Sequence, residues 1–265
     1  MLDDQGLEGR VALVCGGTGH VGGAIAAALA QMGARVAVHG HTRSERGAEI
    51  VRGLERPDAH VALAGDLADS SIARRVFQQA ADELGAPVTV VIDAAYPSQP
   101  PRRVADLDDD YLERHLNGLR MHVNVCRAAL AGMRAVGWGR IVLLSGALAW
   151  RPFPGFAVYG AVKAGAGAFA RTLALEEGIA GITVNTVVLG RVEYDDGGQA
   201  FTPHPAYEAL DEVTQRRVAL PRMASPQDIA CSSDRFASGQ EDRLSGDRTR
   251  RRRGEIADRR GDVLW

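Results

Sequence analysis

A short apolar strand, a glycine-rich loop and a helix follow one another near the start of the chain. Residues 10–15 (RVALVC) are typical of a buried strand, residues 16–23 (GGTGHVGG) form the loop, and residues 24–34 (AIAAALAQMGA) have helical character. A second strand at 36–39 (VAVH) completes a βαβ unit. The backbone N–H groups of such a loop and the helix amino terminus suit a pyrophosphate, so the unit predicts dinucleotide binding. A glycine run taken alone is more often a plain tight turn.

Strands and helices continue to alternate along the chain. An apolar run at 59–64 (AHVALA), a helical pattern at 71–85 (SIARRVFQQAADELG) and another apolar run at 88–93 (VTVVID) follow the first unit. This order predicts an α/β fold of the Rossmann type, a doubly wound parallel sheet with helices on both faces. A length of 265 residues with 46% hydrophobic content fits a single domain.

Composition argues for a small-molecule partner. The formal net charge is -2, so the chain lacks the global basic field of nucleic-acid binders. Cys15, Cys126 and Cys231 are odd in number and widely spaced, which predicts a reducing compartment, no disulfide framework and no metal site. The amino terminus is acidic and no apolar run approaches the ~20 residues of a membrane span, so we expect a cytoplasmic protein.

The residues after the second strand bear on the choice of cofactor. The segment 39–44 (HGHTRS) contains no carboxylate before Glu45, whereas an acidic side chain there would suit free ribose hydroxyls. Thr42 and Arg43 can donate hydrogen bonds to a 2′-phosphate, which favours NADP(H) over NAD(H), with His41 beside them. The alternative is that Arg43 begins a solvated helix.

Two aspartates follow strands at the edge where a nucleotide would bind. Asp66 and Asp93 both lie at predicted carboxyl ends of parallel strands, so either is a candidate nucleotide contact. An aspartate in such a position is as often a turn or helix cap. A third polar candidate, Asn117, precedes a glycine inside the long helical pattern 108–135, which is locally unfavourable and would free a backbone carbonyl or amide for water. A harmless irregularity of the helix is the alternative.

The stretch 145–163 (SGALAWRPFPGFAVYGAVK) combines a hydroxyl, a phenol and an ammonium. Ser145 ends the strand 140–144, and Tyr159 and Lys163 lie four residues apart on one face of the following helix. A nearby cation favours the phenolate of tyrosine, which makes Tyr159 a candidate proton donor to a carbonyl oxygen. Ser145 would hydrogen-bond the same oxygen if the loop folds back. A Tyr–Lys pair at this spacing is otherwise an ordinary solvated face.

Taken together and in this order, several motifs resemble the short-chain dehydrogenase/reductase family, and in particular ketoreductases of the 3-oxoacyl-carrier-protein reductase type. They are the loop CGGTGHVG, the Gly65-Asp66-Leu67 turn, Asn117, Ser145 and the segment YGAVK at 159–163. The resemblance extends from about Gly9 to about Ala230. It implies an oxidoreductase that transfers a hydride between NADP(H) and a carbonyl or secondary alcohol substrate, in a homodimer or homotetramer.

The resemblance also implies roles for individual residues. Tyr159 would be the general acid/base, Ser145 would position the carbonyl oxygen, Lys163 would tune the tyrosine and hold the nicotinamide ribose, and Asn117 would hold a water of a proton relay. Departures from the family in the cofactor loop, at Cys15 and His20, and at the carboxyl end leave a dinucleotide-binding sensor or partner subunit without turnover as the alternative. The implied cofactor-binding residues are Gly16, Thr18, His20, Val21, Gly22, His41, Thr42, Arg43, Asp66, Leu67, Ala94, Tyr159, Lys163, Gly190 and Val192.

The carboxyl-terminal third departs from this pattern. Residues 191–218 are polar, aromatic and interrupted by Pro and Gly, as expected of a substrate lid on a catalytic domain at 1–230. Residues 231–265 lack the apolar residues of a final helix and strand, and five of the six residues 248–253 are Arg. This composition predicts a disordered or loosely packed tail, and interspersed acids argue against nucleic acid as its partner.

Overall fold

A computed structural model describes residues 6–42, 45–97, 99–192, 209–210, 212–213 and 224–238. Within these ranges, six strands form one parallel sheet in the order β3-β2-β1-β4-β5-β6. The strands are β1 (Val11–Cys15), β2 (Arg35–Gly40), β3 (Val61–Ala64), β4 (Val88–Asp93), β5 (Gly139–Gly146) and β6 (Ile182–Leu189). Because β1 and β4 have neighbours on both sides and layers on both faces, every residue of these two strands is buried, which explains their continuous apolar sequences.

Helices cover both faces of the sheet, which confirms the predicted fold class. One hydrophobic cluster joins the sheet to α3, α4 and α5, and the second joins it to α1 and α6. The helices are α1 (His20–Gln31), α2 (Glu45–Gly53), α3 (Ser70–Leu84), α4 (Asp109–Val136), α5 (Ala157–Glu177) and α6 (Pro226–Ser238).

Local sequence sets the ends of the helices that pack beside the site. Asp69 begins α3 by accepting hydrogen bonds from the backbone N–H groups of Ser71 and Ile72, and Gly85 ends it in a left-handed conformation. Asp108 caps α4 in the same way, and Gly137 ends it. The loops that lead from strands into helices lie at the carboxyl edge of the sheet, and the loops that begin at Gly85 and Gly137 lead back to the amino ends of β4 and β5.

The direction of the chain across the sheet defines a crevice. The chain proceeds from β1 through β2 to β3 at one edge, and then returns to β4, beside β1. Cys15 and Asp93 are register partners at the ends of these two strands, and the Ala94 N–H donates to the Cys15 carbonyl at 3.0 Å. Ligands of doubly wound sheets bind at such a point, outside the carboxyl ends of the strands.

The carboxyl-terminal part is described as far as Ser238. Helix α6 extends beyond Ala230, packs against α1 and buries Ile229, Ala230 and Ala237. Residues 239–265 of the predicted tail, and residues 193–208, 211 and 214–218 of the predicted lid, lie outside the described residues. Over the part of the chain that the structure describes, no helix is long and apolar enough to cross a membrane.

Candidate active site

The glycine loop between β1 and α1 is closely packed against β4. Gly16 has φ +74°, and a Cβ there would lie 2.9 Å from the Ala95 backbone. A Cβ at Gly22 would collide with the Gly16 carbonyl, so both glycines are required by the backbone approach. The N-cap residue Gly19 provides no side-chain hydrogen bond to the first turn of α1. The N–H groups of that turn are therefore available to an external anion such as a pyrophosphate. Three of the predicted cofactor contacts lie at this end of the helix, namely Thr18, His20 and Val21.

The segment after β2 carries the side chains that are expected to discriminate NADP(H) from NAD(H). His41 and Thr42 are exposed there, whereas Arg43 lies outside the described residues. A further cation, which the sequence did not single out, comes from the first turn of α2. The Arg46 Nε donates to the Thr18 carbonyl at 2.8 Å and so binds α2 to the glycine loop. Arg46 was not predicted from the sequence because its segment has the pattern of an ordinary solvated helix.

Asp66 forms the turn after β3. Its Oδ1 accepts a hydrogen bond from the Ala68 N–H at 2.9 Å and lies 4.0 Å from His41 Nδ1, with both side chains largely exposed. Leu67 is fully buried in the core, and its carbonyl accepts a hydrogen bond from Asn124 Nδ2 at 3.0 Å. The Leu67 side chain is therefore unavailable to a ligand, and this residue can contact one only through its backbone. Asp66 has an exposed carboxylate at the crevice.

Asp93 does not lie where the sequence suggested. Its side chain is wholly buried, and its Oδ2 pairs with His122 Nδ1 of α4 at 2.6 Å. The expectation of a carboxylate beside the nucleotide is therefore wrong for Asp93, because the side chain points into the core. His122 escaped notice because a histidine on the apolar face of a helix resembles an ordinary core residue.

The last two predicted cofactor contacts follow β6. Gly190 is exposed directly after the strand, and Val192 is buried and forms an isolated parallel bridge with Ala224. Ala94, at the end of β4, is half-buried. All three residues lie just beyond carboxyl ends of strands, which is where the crevice is.

Tyr159 and Lys163 lie one turn apart on α5 and meet the same third ring. The Tyr96 ring, from the loop after β4, lies 4.3 Å from Lys163 Nζ and stands edge-to-face to the Tyr159 ring at 5.3 Å between centroids. Lys163 Nζ donates to the Leu144 carbonyl at 3.0 Å. Burial lowers the pKa of Lys163 to about 8, and the Asp93 carboxylate opposes part of that shift.

Ser145 does not face Tyr159. Its buried Oγ donates to the backbone carbonyl of Lys163 at 3.3 Å. Side chains alternate along a strand, and the next residue, Gly146, is the one directed at the phenol, because a Cβ there would collide with the Tyr159 hydroxyl. The expectation that Ser145 and Tyr159 hold one carbonyl oxygen is therefore not met by this geometry.

Asn117 is directed away from Lys163 as well. Helix α4 is continuous through Asn117 and Gly118, so the expected irregularity is absent. Asn117 is half-buried and its Oδ1 accepts a hydrogen bond from the Arg120 guanidinium. Successive helical residues differ by about 100° in direction, and it is Gly118 that faces the site, where a Cβ would lie 2.5 Å from Tyr96 Cε2.

Tyr96 and His115 were missed by the sequence reading. The Tyr96 hydroxyl and His115 Nδ1 are 2.6 Å apart. Neither residue belongs to a local motif, since one follows β4 and the other lies inside α4. Within the described ranges, no group of three or more His, Cys, Asp or Glu residues could hold a metal ion. The described side chains that meet here are two phenols, an ammonium and an imidazole.

A doubly wound sheet with a glycine loop after β1 and a Tyr–Lys pair beside β5 defines a dinucleotide-binding α/β protein. The family model described as short chain dehydrogenase matches residues 10–202. The chain belongs to this family of oxidoreductases, which act on carbonyl and alcohol groups.

Individual relatives agree with this family. The chain is 30% identical to a versicolorin reductase of Emericella nidulans over 92% of this chain and 94% of the relative. It is also 30% identical to a 3-oxoacyl-[acyl-carrier-protein] reductase of Pseudomonas aeruginosa, over 84% of this chain and 88% of the relative. These names confirm the resemblance to reductases of the ketoreductase type.

Solved structures have the same fold. A gluconate 5-dehydrogenase from Burkholderia cenocepacia, in complex with NADP and tartrate, superposes with a TM-score of 0.81 at 21% identity, over 92% of this chain and 94% of that chain. A short chain dehydrogenase from Burkholderia cenocepacia in complex with NADP gives a TM-score of 0.78 at 28% identity, over 91% and 95% of the two chains. The first of these comparisons, at 21% identity, supports the fold alone.

Proposed function

We propose that this protein is an NADP(H)-dependent ketoreductase in which Tyr159 is the general acid/base. The observation that carries the proposal is the meeting of Tyr159 and buried Lys163 at the carboxyl end of β5, beside a glycine loop that fits a pyrophosphate. When bound, NADPH supplies the hydride that reduces the carbonyl carbon.

The proton for the carbonyl oxygen comes from the Tyr159 hydroxyl. A protonated lysine near a phenol favours the phenolate and so strengthens the phenol as an acid. With a pKa of about 8, Lys163 is mostly protonated at neutral pH, and its charge is poorly screened because the side chain is buried. In alcohol oxidation the same phenolate accepts the proton.

The preference for NADP(H) is supported by cations and by the lack of an acid after β2. His41 and Thr42 lie on this loop, Arg43 follows them in the sequence, and Arg46 adds a guanidinium next to Thr18. An arginine recognises a phosphate by charge-assisted hydrogen bonds. A relative of known structure, the short chain dehydrogenase from Burkholderia cenocepacia, is in complex with NADP.

The substrate class is a ketone or the matching secondary alcohol. Relatives are named as reductases of versicolorin, of 3-oxoacyl chains on acyl-carrier protein and of acetoacetyl-CoA, which are all carbonyl compounds. A cavity of about 520 Å³ beside α5 is lined by Leu148, Phe153 and Phe156 but by neither Tyr159 nor Lys163. We therefore assign no substrate to that cavity. A cytoplasmic location and a homodimer or homotetramer stay predictions.

The test measures NADPH consumption against a panel of β-ketoacyl thioesters, quinones and cyclic ketones. We expect turnover by the wild-type protein and a loss of at least about a hundredfold in Tyr159→Phe, because general acid catalysis contributes about 10²–10⁴-fold. Leu175→Ala is the matched control on an exposed part of α5, and it should keep wild-type activity. Full activity in Tyr159→Phe would refute the mechanism.

A second candidate function is a dinucleotide-binding sensor or partner subunit without turnover. It is favoured by Gly146, which brings no hydroxyl to the Tyr159 side of β5, and by the outward direction of Asn117. Calorimetric binding of NADPH together with no turnover on any carbonyl of the panel would support it. Turnover that depends on Tyr159 would exclude it.

A further inference from the structure

The Tyr96 ring is the common neighbour of the two proposed catalytic side chains. Its face lies 4.3 Å from Lys163 Nζ, within the range of a cation–π interaction. Its ring also meets the Tyr159 ring at 83°, an edge-to-face arrangement that favours aromatic pairs. A single side chain thus fixes where the ammonium and the phenol lie relative to each other.

The Tyr96 ring is itself held in place from α4. The phenol hydroxyl lies 2.6 Å from Nδ1 of His115, which is buried and packs on the Tyr111 ring at 4.6 Å between centroids. Burial raises the pKa of Tyr96 and lowers the pKa of His115, so the hydrogen bond joins a protonated phenol and a neutral imidazole. Gly118 provides the space, since a side chain there would strike the Tyr96 ring.

We propose that Tyr96, anchored by His115, is a positioning residue that holds the Lys163 ammonium beside Tyr159. This inference rests on the proposed function, because it assigns a means of orienting the same acid/base pair. Lys163 Nζ donates a hydrogen bond to the Leu144 carbonyl at 3.0 Å, and the face of the Tyr96 ring covers the ammonium from another side.

The other groups around Lys163 also affect its pKa, and the Tyr96 ring acts in addition to them. Asp93 at the end of β4 attracts the ammonium and thereby raises its pKa, while burial in the sheet–helix interface lowers it more strongly. Tyr159 lies one turn away on the same helix, and His115 contacts the hydroxyl of Tyr96, whose ring faces the ammonium. The ring face favours the charged form of Lys163, so its removal should make protonation harder.

The composition of the chain allows a direct measurement, because Lys163 is its only lysine. Lysine labelled with ¹³C at Cε gives a single lysine signal in the full-length protein, and its pH titration reports the pKa of Lys163 without cofactor or turnover. We expect Tyr96→Leu to lower this pKa by about 0.4–1.5 units. Tyr96→Phe keeps the aromatic face but loses the hydrogen bond to His115, so it should lower the pKa by less than Tyr96→Leu does. Tyr111→Phe is the control one ring farther away and should remain close to the wild type.

The anchor is tested with His115→Phe, which keeps an aromatic ring beside Tyr111 but cannot form the hydrogen bond with Tyr96. We expect it to lower the Lys163 pKa by less than Tyr96→Leu does. An unchanged or raised pKa in Tyr96→Leu would overturn the proposal, since the ring would then act only by excluding water. An unchanged pKa in His115→Phe would overturn the anchoring role of His115. If Tyr96→Leu does not fold, Tyr96→Met, which also lacks a ring, replaces it.

Failure of this inference differs from failure of the proposed function. A lower Lys163 pKa in Tyr96→Leu without any carbonyl turnover in the wild type would support the positioning role and contradict the ketoreductase. Turnover with an unshifted Lys163 pKa would do the reverse. In an active protein, the pH profile of turnover should move in the same direction as the Lys163 titration, which a merely structural role of Tyr96 would not produce.

Discussion

The buried pair between Asp93 and His122 should be a strong determinant of stability. Both side chains are 0% exposed, their Oδ2 and Nδ1 atoms are 2.6 Å apart, and Asp93 Oδ1 has no hydrogen-bond partner in the described part of the chain. Removal of one member leaves the other buried and uncompensated. We therefore expect His122→Leu to lower the free energy of unfolding by about 3–5 kcal/mol.

A double-mutant cycle, measured by urea unfolding at pH 7, isolates this pair. In Asp93→Val/His122→Leu both polar groups are absent, so the double variant should be more stable than His122→Leu alone and close to the wild type. The exposed pair of His41 and Asp66, 4.0 Å apart, is the matched control, and His41→Ala should cost less than about 1 kcal/mol. If the two core substitutions add within about 0.5 kcal/mol, the pair is not coupled and the reasoning fails.

Two further predictions concern the cofactor loop and the buried lysine. If the Arg46 guanidinium binds the 2′-phosphate as proposed, Arg46→Gln should weaken NADPH binding by about ten- to a hundredfold and leave NADH binding nearly unchanged, as measured by calorimetry. Equal losses for both cofactors would contradict this role of Arg46. The pKa of Lys163 is ~10.4 in the unfolded chain and about 8 in the folded one. Between these two pH values the folded state binds fewer protons than the unfolded state, so the free energy of unfolding rises with pH. Relative to Lys163→Met, the wild type should therefore gain up to about 3 kcal/mol in unfolding free energy between pH 8 and pH 10.4, and a flat difference would contradict the depressed pKa.

The fold could be read from the sequence because its signals are local. The apolar runs of β1 and β4, the glycines of the first loop and the alternation with helices each depend on neighbouring residues. A parallel sheet buried on both faces demands this pattern, so few other arrangements were compatible. The same reasoning placed Tyr159 and Lys163 on one helical face, since their relation is also local.

Contacts between distant elements could not be read in that way. Tyr96 meets His115 across 19 residues and Asp93 meets His122 across 29 residues, and neither pair has a spacing that marks it. Which buried polar groups pair depends on how α4 rotates against β4, which is a property of packing. A histidine on the apolar face of a helix gives no indication of its partner, so both pairs required the structure.

The two misplaced residues, Ser145 and Asn117, differ from the residues that face the site by one position each. One residue along a strand reverses the face of the sheet, and one residue along a helix turns the side chain by about 100°, so a motif read by residue type alone selects the wrong neighbour. In both cases the position that faces the site is a glycine, Gly146 or Gly118. Each glycine admits a tyrosine, because a side chain at Gly146 would strike the Tyr159 hydroxyl and one at Gly118 would strike the Tyr96 ring. The site is thus built from two contacting phenols and a lysine, and its orientation of Lys163 depends on the Tyr96 ring that Gly118 allows to approach.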